Sequence, residues 1–140
     1  MEYCGGASGP IWGSAFRWAG KTAIGKDEID LQGLADVLQA AVKGVQDTGE
    51  KSFGHGAVVG DKTLIDALVP AADSLSASAK AGEKLLDAMV KAAAAAVEGA
   101  DKTKSIQAKL GRAGVTDSIN YPDAGAYGLG VIFTELCKRI

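Results

Sequence analysis

Apolar residues along this chain recur at the three- and four-residue spacing of helices, and no segment sustains the two-residue alternation of a strand. Five helices are predicted. In the first, Ile11, Trp12, Ala15, Phe16 and Ala19 share a face. Ser8 or Gly9 caps it and Pro10 takes the first helical position, where a missing N–H costs nothing. Gly20 to Ile29 reads as a loop. The second helix runs from its cap Asp30 to Asp47, with Leu31, Leu34, Leu38, Ala41, Val42 and Val45 in register. Thr48 to Gly60 carries Gly49, Gly54, Gly56 and Gly60 and reads as a loop. Asp61 is the expected cap of the third helix, whose face is Leu64, Ile65, Leu68, Val69, Ala72 and Leu75. Pro70 lies inside that pattern and is expected to kink the helix rather than end it.

The fourth helix starts near Gly82 and presents Leu85, Leu86, Met89, Val90, Ala93 and Val97. Its alanine block, Ala92 to Ala96, favours helix and close helix contact, and the pattern extends towards Thr103 and Ile106 despite Gly99. Turn residues dominate from Gly111 to Gly125. A last helix places Leu129, Ile132, Phe133, Leu136 and Ile140 together. The sum is an all-α fold, an antiparallel bundle of amphipathic helices.

Composition narrows the function classes. The 140 residues suit one domain, and the 47% hydrophobic content is carried by small and aliphatic side chains, with few aromatics. A net charge of −2 lacks the basic excess of a general nucleic-acid or membrane-surface binder. No run approaches the roughly 18 apolar residues of a membrane span, and Met1 to Gly6 has no secretory signal pattern. Cys4 and Cys137 lack metal-type spacing, so two reduced thiols in a cytoplasmic protein are expected, and a single histidine makes a zinc site improbable.

The glycines point to chemistry. Gly5-Gly6-Ala7-Ser8-Gly9, Gly60-Asp61-Lys62-Thr63 and Asp123-Ala124-Gly125-Ala126 each stand before a helix. A helix start offers free N–H groups and partial positive charge, and glycine admits a ligand close to the backbone. Each turn alone is open between phosphate binding and ordinary capping. At the second, the plain reading is a cap at Asp61 with Lys62 in solvent. Gly-Asp-Lys-Thr also lacks the spacing of a Walker loop. Arg112, between Gly111 and Ala113, is either a solvated cation or a donor fork for phosphate.

Taken together and in order, Gly5-Gly6-Ala7-Ser8-Gly9-Pro10, Gly60-Asp61-Lys62-Thr63-Leu64-Ile65-Asp66-Ala67-Leu68 with Pro70, Gly111-Arg112-Ala113 and Pro122-Asp123-Ala124-Gly125-Ala126 resemble the nucleotide-binding L subunit of dihydroxyacetone kinases. The same domain forms the C-terminal part of single-chain, ATP-dependent members; the related fatty-acid kinase domain fits less well. The resemblance implies a DhaL-like barrel of antiparallel helices with ADP or ATP bound at one end. It implies a partner K subunit or domain that holds dihydroxyacetone or a related short keto-sugar on its own histidine. In the phosphotransferase-system form, a phospho-histidine subunit recharges the bound ADP. His55 is then a loop residue with no required catalytic part.

Carried over by motif, Ala7 and Ser8 match the turn at the nucleotide phosphates and Gly60 a nucleotide-contact glycine. Val69 falls where a longer apolar residue usually meets the adenine. Arg112 matches an arginine near the nucleotide. Asp123, Ala124 and Gly125 match an Asp-Pro-Gly segment lining the base pocket, with alanine in place of proline. The family's Asp-rich motif, which holds two Mg2+ ions, has no counterpart here; Asp27, Asp30 and Asp36 are scattered. Residues 1–140 are therefore expected to be the C-terminal two-thirds of one such domain, a natural truncation or a fragment, with neither a catalytic residue nor a metal ligand of its own. The chain is expected to be nearly inactive alone and to dimerise through the apolar face an incomplete barrel exposes. A partner-binding regulator of the same fold, and a plain bundle whose glycines are only turns, are the other readings.

Overall fold

The computed structural model describes residues 8–53, 57–109 and 117–140. They form α1 (Gly9–Ala23), α2 (Leu31–Phe53), α3 (Ile65–Lys80), α4 (Leu85–Lys102) with a 3-10 turn at Thr103–Ser105, and α5 (Ala124–Cys137). No strand occurs among the described residues. The all-α architecture is the one expected. Each helix packs on its sequence neighbour, and α5 also reaches back to α3. Successive helices run antiparallel, so α1, α3 and α5 all start at the same end of the bundle.

The core is built from small residues. Ala67, Ala71 and Ala72 of α3 face Ala88, Ala92, Ala96 and Ala100 of α4, all buried. Ile65, Leu68 and Leu75 fill the space between layers. A methyl group on Gly99 would lie 2.1 Å from the Asp66 carbonyl oxygen, so α4 crosses α3 at a distance only glycine permits. Pro70 is accommodated inside α3, which runs on to Lys80.

Several expectations need correction. Helix α1 continues three residues past Gly20, to Ala23, and the Thr22 hydroxyl donates to the Trp18 carbonyl. Phe16 points outward and stacks on Trp12 instead of joining the core face. Helix α2 extends from Asp47 to Phe53 because Gly49 is not a breaker there: a Cβ at Gly49 would sit 2.8 Å from the Ala57 nitrogen. Gly82 does not begin α4. It closes α3 with φ +68°, the Glu83 N–H donating to the Ser78 carbonyl and the Gly82 N–H to the Ala79 carbonyl.

Helix α4 is turned relative to expectation. Met89 and Ala93 are buried as expected, with Ala88, Ala92, Ala96 and Ala100 beside them, but Leu85, Leu86, Val90 and Val97 are exposed. Close crossing by α3 selects the small face, leaving the larger side chains on the outer surface. In α5, Leu129 and Phe133 are buried as expected, but Ile132, Leu136 and Ile140 are exposed. No helix among the described residues is long and apolar enough to cross a membrane.

Candidate functional site

The end where α1, α3 and α5 begin gathers the described sequence candidates. Ser8 is the cap position of α1, which opens with Gly9 and then Pro10. Gly60 has φ +106°, a backbone state that favours glycine, and a Cβ there would meet nothing within 4 Å. Its N–H donates to Asp66 Oδ1 at 2.6 Å. What Gly60 offers a ligand is therefore close approach to the backbone rather than a free donor.

The start of α3 is built differently from expectation. Asp61 is buried and accepts from the Val58 N–H instead of capping the helix. Asp66 does the organising: its Oδ2 accepts from the Thr63 N–H at 2.8 Å while Oδ1 holds Gly60. The Thr63 hydroxyl oxygen accepts from the Ile65 N–H. The Thr-x-x-Asp spacing of a capping box is present in the sequence, and the structure makes its Asp66-to-Thr63 half.

Lys62 is the largest surprise. It is only 5% exposed, with φ +60°, so it is not a solvated cation. Its Nζ donates to the backbone carbonyls of Ile106 and Tyr121, each at 2.8 Å, and of Ser118. A lysine has three N–H donors, and all three are used. Nothing in local spacing foretold this, because the partners lie 44 to 59 residues away.

Asp123 caps α5, its Oδ2 accepting from the Ala126 N–H at 2.8 Å. Its own N–H donates to Oγ1 of Thr103, which is fully buried and donates to the Ala100 carbonyl. Burial pushes the Asp123 carboxyl up; the N–H groups of Ala126 and Gly125 pull it down, Asp66 raises it and Lys62 lowers it. Gly125 packs close to Leu64, where a Cβ would come within 3.0 Å of the Leu64 Cβ. The structure thus links the loop after Gly60 to the start of α5, through Lys62 to Tyr121 and through the packing of Gly125 on Leu64, and Ala124 is exposed.

A cleft beside Gly60 is lined by Val59, Asp66, Pro70, Gly99, Lys102 and Ile106. Val69 lies one turn into α3, half-buried and packed against the core. Ser8 stands at the same end on α1, whose main packing partner is α2. Ala7, Arg112, His55 and Cys4 lie outside the described residues. Cys137 forms no disulfide. Among the described residues no group of three or more His, Cys, Asp or Glu is placed to hold a metal ion.

The DAK2 domain family matches residues 1–138. The chain is 35% identical to the "PEP-dependent dihydroxyacetone kinase 1, ADP-binding subunit DhaL" of Listeria innocua, over 96% of this chain and 60% of that protein. It is 35% identical to the "L-erythrulose kinase" of Pectobacterium atrosepticum, over 94% of this chain and 22% of that one. It is 33% identical to the "Triokinase/FMN cyclase" of Rattus norvegicus, over 99% of this chain and 23% of that one. The chain thus spans under two thirds of the length of each. With the family match running nearly end to end and kinases or kinase subunits among its relatives, this chain belongs to the DAK2 domain family.

Proposed function

We propose that this chain is an ADP- or ATP-binding component of a dihydroxyacetone-kinase-type enzyme, serving phosphoryl transfer to dihydroxyacetone or a related short keto-sugar held on a partner K subunit or domain. The observation that carries the reading is one bundle end where three helices start and where the loop of the open Gly60 backbone is joined, through Lys62 to the Tyr121 carbonyl, to the segment that enters Asp123–Gly125. Helix starts favour anionic groups, and an open glycine lets a phosphate approach closely. A nucleotide fits this donor chemistry. Ala7, Ser8 and Gly60 would meet its phosphates, Arg112 would add charge, and Val69 with Asp123, Ala124 and Gly125 would border the base.

Mg2+, where bound, would supply neutralisation of the charge that develops on the transferred phosphoryl group. Its ligands would come from an Asp-rich segment of the kind the family carries, not from the residues described here. Without them the chain alone is expected to transfer phosphoryl groups poorly. The phosphoryl donor would be ATP or a phosphotransferase-system subunit, and the location cytoplasmic.

Calorimetry with ADP and Mg2+ tests the proposal, on the chain alone and on a fusion carrying an Asp-rich N-terminal segment. Saturable binding that Arg112→Ala weakens supports it. No binding by either protein overturns it. Full triose phosphorylation with this chain as the sole L component would overturn the expected inactivity.

A second reading rests on the exposed aliphatic side chains of α4 and α5. Val90, Ala94 and Val97 line a groove with Thr134 and Cys137. That face supports a non-catalytic, partner-binding role, or a homodimer. Light scattering that finds only monomer at high concentration removes the homodimer.

A further inference from the structure

We infer that Lys62 is a positioning residue that ties the two nucleotide-facing segments, Gly60 and Asp123–Gly125, into one unit. The inference rests on the functional reading above and deepens it. Lys62 lies two residues after Gly60, and one of its three acceptors, the Tyr121 carbonyl, lies two residues before Asp123. The others, Ile106 and Ser118, belong to the strands of chain that lead away from the α4 end and back towards α5.

The surrounding bonds show what the lysine holds. The Asn120 N–H donates to the Lys104 carbonyl, the Ala108 N–H to the Ser118 hydroxyl, and the Asp123 N–H to Thr103 Oγ1. These bonds attach the returning segment to the end of α4. Only the Lys62 side chain, among the bonds described, attaches it to the Gly60 loop. A point donor with three N–H groups suits three convergent carbonyls; the planar fork of arginine does not. Lys62 also keeps φ +60°, which a side chain adopts only when its surroundings impose it.

With all three donors engaged inside the protein, Lys62 has none left for a ligand. It acts by setting the separation of two backbone segments, and small displacements of such segments weaken binding strongly. Lys62→Met removes all three donors at similar length. The control is Leu75→Val, which trims the core towards the far end of α3. ADP affinity is measured by calorimetry at a temperature where circular dichroism shows each variant folded. Hydrogen exchange is followed at the Asn120 and Asp123 amides.

The expected result for K62M is ADP binding weakened about tenfold or more, with faster exchange at both amides. L75V should keep wild-type values for both. If K62M does not fold, Lys62→Gln, which retains two N–H donors, replaces it with the same expected direction. Unchanged ADP affinity in a folded Lys62 variant, or an equal loss in L75V, overturns the role. Absence of ADP binding both in the wild-type chain and in the fusion carrying an Asp-rich segment overturns the functional reading and the role together, so the two failures are told apart.

Discussion

The two ends of the bundle are fastened differently. At the end where α2 and α4 begin, every described cap is local. Asp30 Oδ1 accepts from the Gly33 N–H, and the turn at Gly82 closes through bonds spanning three to five residues. At the other end local caps at Asp66 and Asp123 are joined by long-range bonds: Lys62 reaches across 44 to 59 residues, and Thr103 joins Asp123 across 20. Local caps would serve an isolated helix equally well. Long-range bonds fix helices relative to one another, and they are the kind that hold a binding surface in shape before a ligand arrives.

The largest expected effect comes from attacking the crossing beneath the long-range end. Gly99→Ala puts a methyl against the Asp66 carbonyl and must push α4 away from α3. We expect a loss of about 3 kcal/mol or more, at the upper end of overpacking costs, measured by urea denaturation. A stability within error of wild type would show that the crossing yields easily.

Next is Thr103→Val, nearly isosteric, which leaves the Asp123 N–H without its buried acceptor. The expected cost is about 1–3 kcal/mol by thermal or urea unfolding. Exchange at the Asp123 amide should rise with it. An unaffected amide would mean that the long-range end does not depend on this bond.

The contrast between ends also explains what sequence reading could reach. Helix existence, the all-α class, the Asp30 cap and the turn before α5 follow from spacing and turn chemistry within a few residues, whereas the grouping of Gly60 with the α5 start comes from the resemblance. The role of Asp66 was legible as well, since Thr63 and Asp66 stand at capping-box spacing. Lys62 and Thr103 were not legible, because their partners come together only when the tertiary fold does. The rotation of α4 escaped for another reason. Hydrophobicity ranks Leu86 and Val97 above alanine, but the Gly99 crossing rewards small volume, and the alanine face is buried.

At the local end, Gly82→Ala tests the opposite expectation. The new side chain meets no neighbour, so its cost is backbone strain alone at φ +68°. That should be about 1 kcal/mol, read from the thermal midpoint, with ADP affinity unchanged. A fall in affinity would break the division between ends, since nothing at Gly82 contacts the candidate site.

The smallest effect expected is a change of pH dependence at Asp123. Burial raises its carboxyl above the ordinary value in the folded chain, so the folded state favours the protonated form. For a group shifted this way, the stabilising contribution is complete below the unfolded pKa and is lost as pH rises through the folded one. Asp123→Asn cannot ionise, and its side-chain oxygen can still accept from the Ala126 N–H. The variant should therefore gain stability relative to wild type as pH rises from the ordinary carboxylate range towards neutrality, then level off. Urea midpoints for both proteins across that range measure the difference. A variant that instead loses ground as pH rises would show that the N–H groups of Ala126 and Gly125, with Lys62 nearby, outweigh burial at this cap.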